Sequence, residues 1–209
     1  MLSAAEIAEA LAADAPVEER LTVVPWPDAT DLQDRGGTSI DLRLGRWFRS
    51  FKQTRTKSVS LAGFDDEAPT RTSEISRTKQ HFVPFGDSYV LHPGRFVLGV
   101  TLEWLRLPAG LSGYITGKSS LGRHGLVIET AAGLHPHFSG CLTLELANVG
   151  EVPLEIFPGM KICQIFLHRV KPCEHSSLGA FSGRRKPSLS SPQADEVLRK
   201  LRDRPSQGF

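Results

Sequence analysis

The spacing of chain breakers is what most limits the fold of this chain. Between residues 84 and 159 proline or glycine recurs at Pro84, Gly86, Pro93, Gly94, Pro108, Gly110, Gly113, Gly117, Gly125, Gly133, Pro136, Gly140, Pro153, Pro158 and Gly159. Proline removes a backbone donor and glycine adds conformational freedom, so no long helix survives that density. Between the breaks the apolar period is two. Phe96, Leu98, Val100, Leu102 and Trp104 fall on one face, with Val97, Gly99, Thr101 and Glu103 on the other. Leu142, Leu144 and Leu146 share a face opposite Thr143 and Glu145, and Val152, Leu154 and Ile156 repeat the pattern. Many short strands joined by regular turns predict an all-β sandwich, jelly roll or barrel.

The ends read differently. Ser3-Ala4-Ala5-Glu6 is a capping box followed by Ile7 and Leu11, which predicts a helix over roughly 4–13. Ser191-Pro192 opens a last helix, with Ser191 as N-cap, Pro192 at its first position and Val197, Leu198 and Leu201 as an apolar stripe. The polar stretch Lys52–Lys79 reads as a long surface loop or irregular hairpin. After His168 the composition turns rich in Ser, Gly and Arg, so the 209 residues divide into a β domain over 1–170 and a tail with a short terminal helix over 171–209.

Charge and cysteine usage narrow the function classes. Twenty-five basic against 23 acidic residues give +2, without the basic stripe of a bulk nucleic-acid binder. No run of about 18 apolar residues predicts a membrane span, and no basic leader precedes the first helix. Cys141, Cys163 and Cys173 form no C-x-x-C pair and their number is odd. They read as free thiols in a reducing cytoplasm.

Two runs could carry chemistry. Gly117-Lys118-Ser119-Ser120-Leu121-Gly122-Arg123 combines a glycine, two hydroxyls and two cations, which suits a phosphate cradle or an ordinary polar turn. It lacks the leading glycine and the helix-opening context of a Walker A loop. In Gly140-Cys141-Leu142-Thr143-Leu144-Glu145-Leu146-Ala147-Asn148 a carboxylate stands opposite three leucines. Burial of such a group is costly unless it is paired. Glu145 therefore reads as an exposed-face or interface residue, or as a general acid/base whose pKa partial burial raises.

In order along the chain, five segments resemble the signatures of the dCTP deaminase family, homologous to trimeric dUTPases. These are Thr38-Ser39-Ile40-Asp41-Leu42-Arg43-Leu44, Val90 to Gly99, Gly117 to Arg123, Leu142 to Asn148 and Pro158-Gly159-Met160-Lys161-Ile162-Cys163-Gln164. The resemblance implies a distorted jelly-roll or β-barrel of the trimeric dUTPase type, with short N- and C-terminal helices. It implies a zinc-independent hydrolytic deamination of dCTP to dUTP and ammonia in pyrimidine nucleotide metabolism, consistent with the lack of an H-x-E…P-C-x-x-C set. Glu145, Ser119 and Arg123 would be catalytic. Lys118, Ser120, Ala131, His135, Phe138, Thr143, Gln164 and Arg184 would bind the nucleotide, and Mg2+ would bridge its phosphate oxygens. The sites would be shared between the subunits of a homotrimer, and the tail would fold over the nucleotide as a lid.

The chain departs from the family pattern at a turn and at the tail. The turn usually reads A-G-x-I-D-P-G-aromatic; here it is Ala131-Ala132-Gly133-Leu134-His135-Pro136-His137-Phe138. A histidine is a poor replacement for a permanently charged carboxylate. Little diphosphatase activity is therefore expected, and a metal reading of His135 and His137 has no obvious third ligand. The family tail K-Y-x-G-Q-x-x-P-x-x-S carries Ala180, Phe181 and Arg184 in place of Lys, Tyr and Gln. Arg184, Arg185 and Lys186 could still supply charge to a triphosphate, or form a solvated basic run. The alternatives to a deaminase are a dUTP diphosphatase or bifunctional dUMP-forming enzyme, and a non-catalytic nucleotide-binding paralogue that regulates.

Overall fold

The computed structural model describes residues 1–16, 19–27, 37–53, 55, 61, 77–128, 133–172, 183–189 and 195–202. They belong to two compact units, one of Met1–Ser50 with Gln80–Pro187, the other of Phe51–Lys79 with Ser188–Phe209.

In the first unit, helix α1 spans Ala4–Ala12. The capping box forms as the sequence predicts: the Ser3 backbone N–H donates to Glu6 Oε2 at 2.9 Å, and the Glu6 N–H donates to Ser3 Oγ at 3.4 Å. Period 3.6 puts Ile7 and Leu11 on the buried face. The Leu2 N–H donates to the Leu167 carbonyl, which ties the helix entry to the β structure.

The rest of this unit is antiparallel sheet. One three-stranded sheet has the order β1 (Thr22–Val24), β7 (Trp104–Arg106), β11 (Ser139–Gly140). A four-stranded sheet orders β10 (Gly133–Leu134), β8 (Leu111–Gly117), β14 (Lys161–Arg169) and β2 (Ser39–Arg43). A five-stranded sheet orders β4 (Thr78–Phe82), β3 (Trp47–Phe51), β6 (Phe96–Val100), β12 (Thr143–Asn148) and β9 (Leu126–Ile128). A two-stranded ribbon pairs β13 (Leu154–Ile156) with β5 (Tyr89–Leu91). This is the all-β, jelly-roll arrangement that the breaker spacing predicts. The core joins Leu42, Leu44, Phe48, Leu144, Leu146 and Ile165 from facing sheets with Ile7 and Leu11 of α1. Each such side chain contributes roughly 1.5–3 kcal/mol on burial.

Three expectations change. The alternation over 96–104 is not one strand: it breaks after Val100 and resumes at Trp104. Thr101 Oγ1 donates to the Glu103 carbonyl and accepts from the Leu142 N–H, while the Thr101 N–H donates to the Leu142 carbonyl, so side-chain bonds supplement the backbone ones at the break. Nor is β6 one-sided, because Val97, Leu98 and Val100 are all buried while Phe96 is exposed. As a central strand of the five-stranded sheet, β6 is covered on both faces. Finally, Ser119–Gly122 forms a single helical turn, α2, where no helix opening was expected.

In the second unit, the Lys52 N–H donates to the Arg77 carbonyl, so the two ends of the 52–79 stretch meet as in a hairpin. Helix α3 spans Glu196–Arg202, and Asp195 Oδ1 accepts from the Val197 and Leu198 N–H groups. Asp195 is thus its described cap; Ser191 and Pro192 lie outside the described residues. The predicted stripe of Val197, Leu198 and Leu201 is solvent-exposed. No helix among the described residues is long and apolar enough to cross a membrane.

Candidate active site

Glu145 is set by its strand. On β12 the burial alternates, so Leu144 and Leu146 enter the core at 0 % exposure while Thr143, Glu145 and Ala147 share the other, half-buried face. β12 is held on both sides: Glu145 lies opposite Leu98 of β6, and Leu146 opposite Ile128 of β9. The carboxylate therefore sits on a rigid, doubly paired strand, which suits a group that must hold its direction.

The hydroxyl-rich turn leaves β8 at Gly117 and enters β9 at Leu126. At Gly117 packing is tight, since a Cβ there would approach Ile128 Cβ to 3.0 Å. The turn closes at Gly125, whose φ is +90° and whose added Cβ would lie 2.7 Å from the Gly150 nitrogen. Ser119, Ser120 and Arg123 are exposed on this turn. The turn runs directly into edge strand β9, which pairs with β12, and the Gly125 carbonyl accepts from the Val149 N–H, just past β12, at 2.9 Å.

Lys118 and Gln164 each neighbour Asp41 of the four-stranded sheet, Lys118 by its ammonium and Gln164 by its place opposite in the ladder. Lys118 Nζ is 2.5 Å from Asp41 Oδ1, and Lys161 Nζ is 3.5 Å from Asp41 Oδ2. Gln164 lies opposite both Asp41 and Thr116, and its Nε2 donates to Thr116 Oγ1 at 3.3 Å. Two ammonium groups around one carboxylate leave a net positive charge beside the turn, which suits phosphate oxygens better than a bare cation. Among the described residues no three His, Cys, Asp or Glu side chains come together as a metal-binding set.

His135 and Phe138 lie in the turn between β10 and β11. His135 is exposed, whereas Phe138 packs against the core and its N–H donates to the His135 carbonyl. His137 adopts φ 65°, a left-handed conformation that suits the glycine of the family pattern. Arg184 is joined to the body through its backbone, its carbonyl accepting from the Cys141 N–H at 2.9 Å. Ala131 lies outside the described residues, as do Ala180, Phe181 and Cys173.

Sequence reading passed over Glu103. Period two puts it on the face of Val97, Gly99 and Thr101 without marking it as buried, yet it is 4 % exposed and its Oε2 accepts the Arg43 N–H at 2.8 Å. Burial raises its pKa, and the Arg43 bond opposes that rise. Burial also pushes the Cys163 thiol up to about 12 and raises that of Cys141, so both stay protonated at neutral pH. Asp41 was legible only as one letter of a motif; its lysine partners come from 77 and 120 positions away along the chain. Arg49 was overlooked as well, because nothing in the sequence ties β3 to β12.

Residues 1–170 match the family model described as dCTP deaminase-like. The chain is 45% identical over 178 residues to a protein of Mycobacterium ulcerans described as "dCTP deaminase, dUMP-forming", covering 82% of this chain and 87% of that one. A protein of the same description from Mycolicibacterium smegmatis is 42% identical over 179 residues, covering 82% and 88%. The fold is similar to that of the crystal structure of 2'-deoxycytidine 5'-triphosphate deaminase from Agrobacterium tumefaciens, with a TM-score of 0.56 at 22% identity. That match covers 81% of this chain and 46% of the longer Agrobacterium chain.

Proposed function

Since the chain belongs to the dCTP deaminase-like family, we propose that it hydrolyses the 4-amino group of dCTP, with water as co-substrate and dUTP and ammonia as products. The observation that carries this reading is the half-buried Glu145, braced between two fully buried leucines on a doubly paired strand. Its carboxylate takes a proton from water as the oxygen bonds to C4 of cytosine. It returns that proton to N3, and a second proton transfer releases ammonia as the C4–N4 bond breaks. Ser119 and Arg123 hold the water and orient Glu145. Lys118, Ser120 and Arg184 bind phosphate, while Gln164, Thr143, Phe138 and His135 line the nucleotide site, with Ala131 beside the base. The Lys118–Asp41–Lys161 cluster would meet the triphosphate, and Mg2+ bound to the substrate's phosphates would supply charge neutralisation there.

Ser119, Ser120 and Arg123 are exposed on their turn, whereas Glu145 is half-buried on β12. This supports a homotrimer in which the turn of one subunit completes the site of the next. We take residues 1–170 as the catalytic β domain and 171–209 as its tail, in a cytoplasmic enzyme.

The description of the Mycobacterium ulcerans relative as dUMP-forming favours a second reading, in which the dUTP is further cleaved to dUMP and pyrophosphate. His135 speaks for the first, since the position usually holding the carboxylate that directs water at phosphate carries an imidazole. Incubation with dCTP and Mg2+, followed by ammonia measurement and nucleotide separation, tests both. Ammonia with dUTP supports the first reading and dUMP with pyrophosphate the second. Binding without turnover would leave a regulatory paralogue.

A further inference from the structure

The tail does not hang free of the sheet that carries Glu145. Over Gly183–Pro187 each residue has a partner on the body. The Gly183 N–H donates to the Ser139 carbonyl at 2.7 Å, and the Arg184 carbonyl accepts from the Cys141 N–H at 2.9 Å. The Arg185 guanidinium lies 5.1 Å from the Trp104 ring centroid, and the Lys186 ammonium 3.9 Å from that of Trp47. The Pro187 carbonyl accepts from Arg49 Nε at 3.0 Å. Cation–π contact and a charged donor together make a directional strap from a segment that the sequence presents as a basic run.

The anchor point of this strap is not arbitrary. Arg49 of β3 lies opposite Leu98 of β6, and Leu98 lies opposite Glu145 of β12. Residues directly opposite in antiparallel strands project to the same face. Arg49 and Glu145 therefore stand in one row, about 10 Å apart across the intervening strand. Trp47, two residues before Arg49 on β3, shares that face and holds Lys186. The strap thus starts beside Cys141, close to the start of β12, and ends on the row of the carboxylate.

We propose that Arg49 is a positioning residue, which pins the Gly183–Pro187 strap across the Glu145 face and so fixes where the tail meets the nucleotide. The inference rests on the deaminase reading for the identity of the ligand, but not for the contact itself. A guanidinium suits the role because its planar fork holds one direction, where a lysine ammonium would rotate. Arg49 acts through the tail and not on the reacting atoms, so its loss should weaken nucleotide capture more than it slows chemistry.

The test uses the full chain with Arg49→Met and Arg49→Lys. Limited trypsin digestion, read by mass, reports cleavage after Arg184 and Arg185 without nucleotide. Arg49→Met should be cut roughly tenfold faster than the parent, in line with loss of a charged hydrogen bond, at an unchanged Tm. With dCTP, KM should rise roughly tenfold while kcat stays within about threefold, and Arg49→Lys should recover only part of either effect. Cleavage equal to the parent's would overturn the strap role. A fall in kcat at constant KM would overturn it as well, since that places Arg49 on the reacting atoms. If Arg49→Met fails to fold, Lys186→Met leaves β3 intact and should speed cleavage after Arg184; no change there also overturns the proposal. Absence of turnover in the parent protein would sink the deaminase reading while the digestion still decides the strap.

Discussion

Single residues carry the chemistry, and their environments make separable predictions. Glu145→Gln keeps the size and strand position of the side chain but cannot accept a proton. Ammonia release from dCTP should fall by about 10²-fold or more with an unchanged Tm; normal turnover would remove Glu145 from the role of general base. His135→Asp restores the carboxylate expected in that turn, and should yield dUMP with pyrophosphate where the parent yields dUTP; chromatography of the products decides. His137 holds a left-handed conformation at φ 65°. His137→Gly should therefore raise stability by roughly 1 kcal/mol, measurable by thermal unfolding. Glu103 has its folded pKa raised from the ordinary 4.5 by burial. A raised carboxyl favours the fold most when protonated, so its contribution declines as pH climbs from about the ordinary value through the folded one. The stability of the parent relative to Glu103→Gln should accordingly fall with rising pH over that window and level off above it. A flat difference between pH 4 and 8 would mean that Glu103 does not titrate with folding.

At the scale of elements, the strands position the site and glycines let the elements approach. β8, α2 and β9 form one strand–turn–strand unit whose closeness depends on Gly117 beside Ile128 and Gly125 beside Gly150. Gly125→Ala would need both a disfavoured φ and an overlap with backbone at 2.7–2.8 Å, which no side-chain rotation relieves. It should cost more stability than Gly117→Ala, whose clash at 3.0 Å is with a side chain. Unfolding midpoints of the two variants check that order. α1 depends on its first turn, and Ser3→Ala should cost about 1 kcal/mol by removing the hydroxyl that accepts from Glu6.

For the whole molecule, the proposal shares each site between subunits. The hydroxyl turn runs into the edge strand β9, which pairs with the strand of Glu145. If subunits share the site, the mass in solution is that of a trimer. Mixing Glu145→Gln with Ser119→Ala protein, each inactive, should then restore part of the activity through hybrid trimers. A monomeric mass, or no complementation after subunit exchange, would count against sharing.

The class of fold, the N-terminal helix and the strand bearing Glu145 were all legible in the sequence. Those features depend on local rules: breakers exclude helices, period two defines faces, and a capping box satisfies its own donors. The same local rules left the burial of Glu103 unmarked and ran Phe96–Trp104 together as one alternating strand. Whether a strand is central, and whether a side chain meets a partner, depends on residues far away along the chain. Asp41 gains Lys118 and Lys161, and Arg49 gains the Pro187 carbonyl, only once four separate strands and the tail are brought together. Periodicity records what each segment prefers to bury. Only the packed sheets decide which charges become neighbours, because burial and hydrogen bonding are settled between segments and not within them.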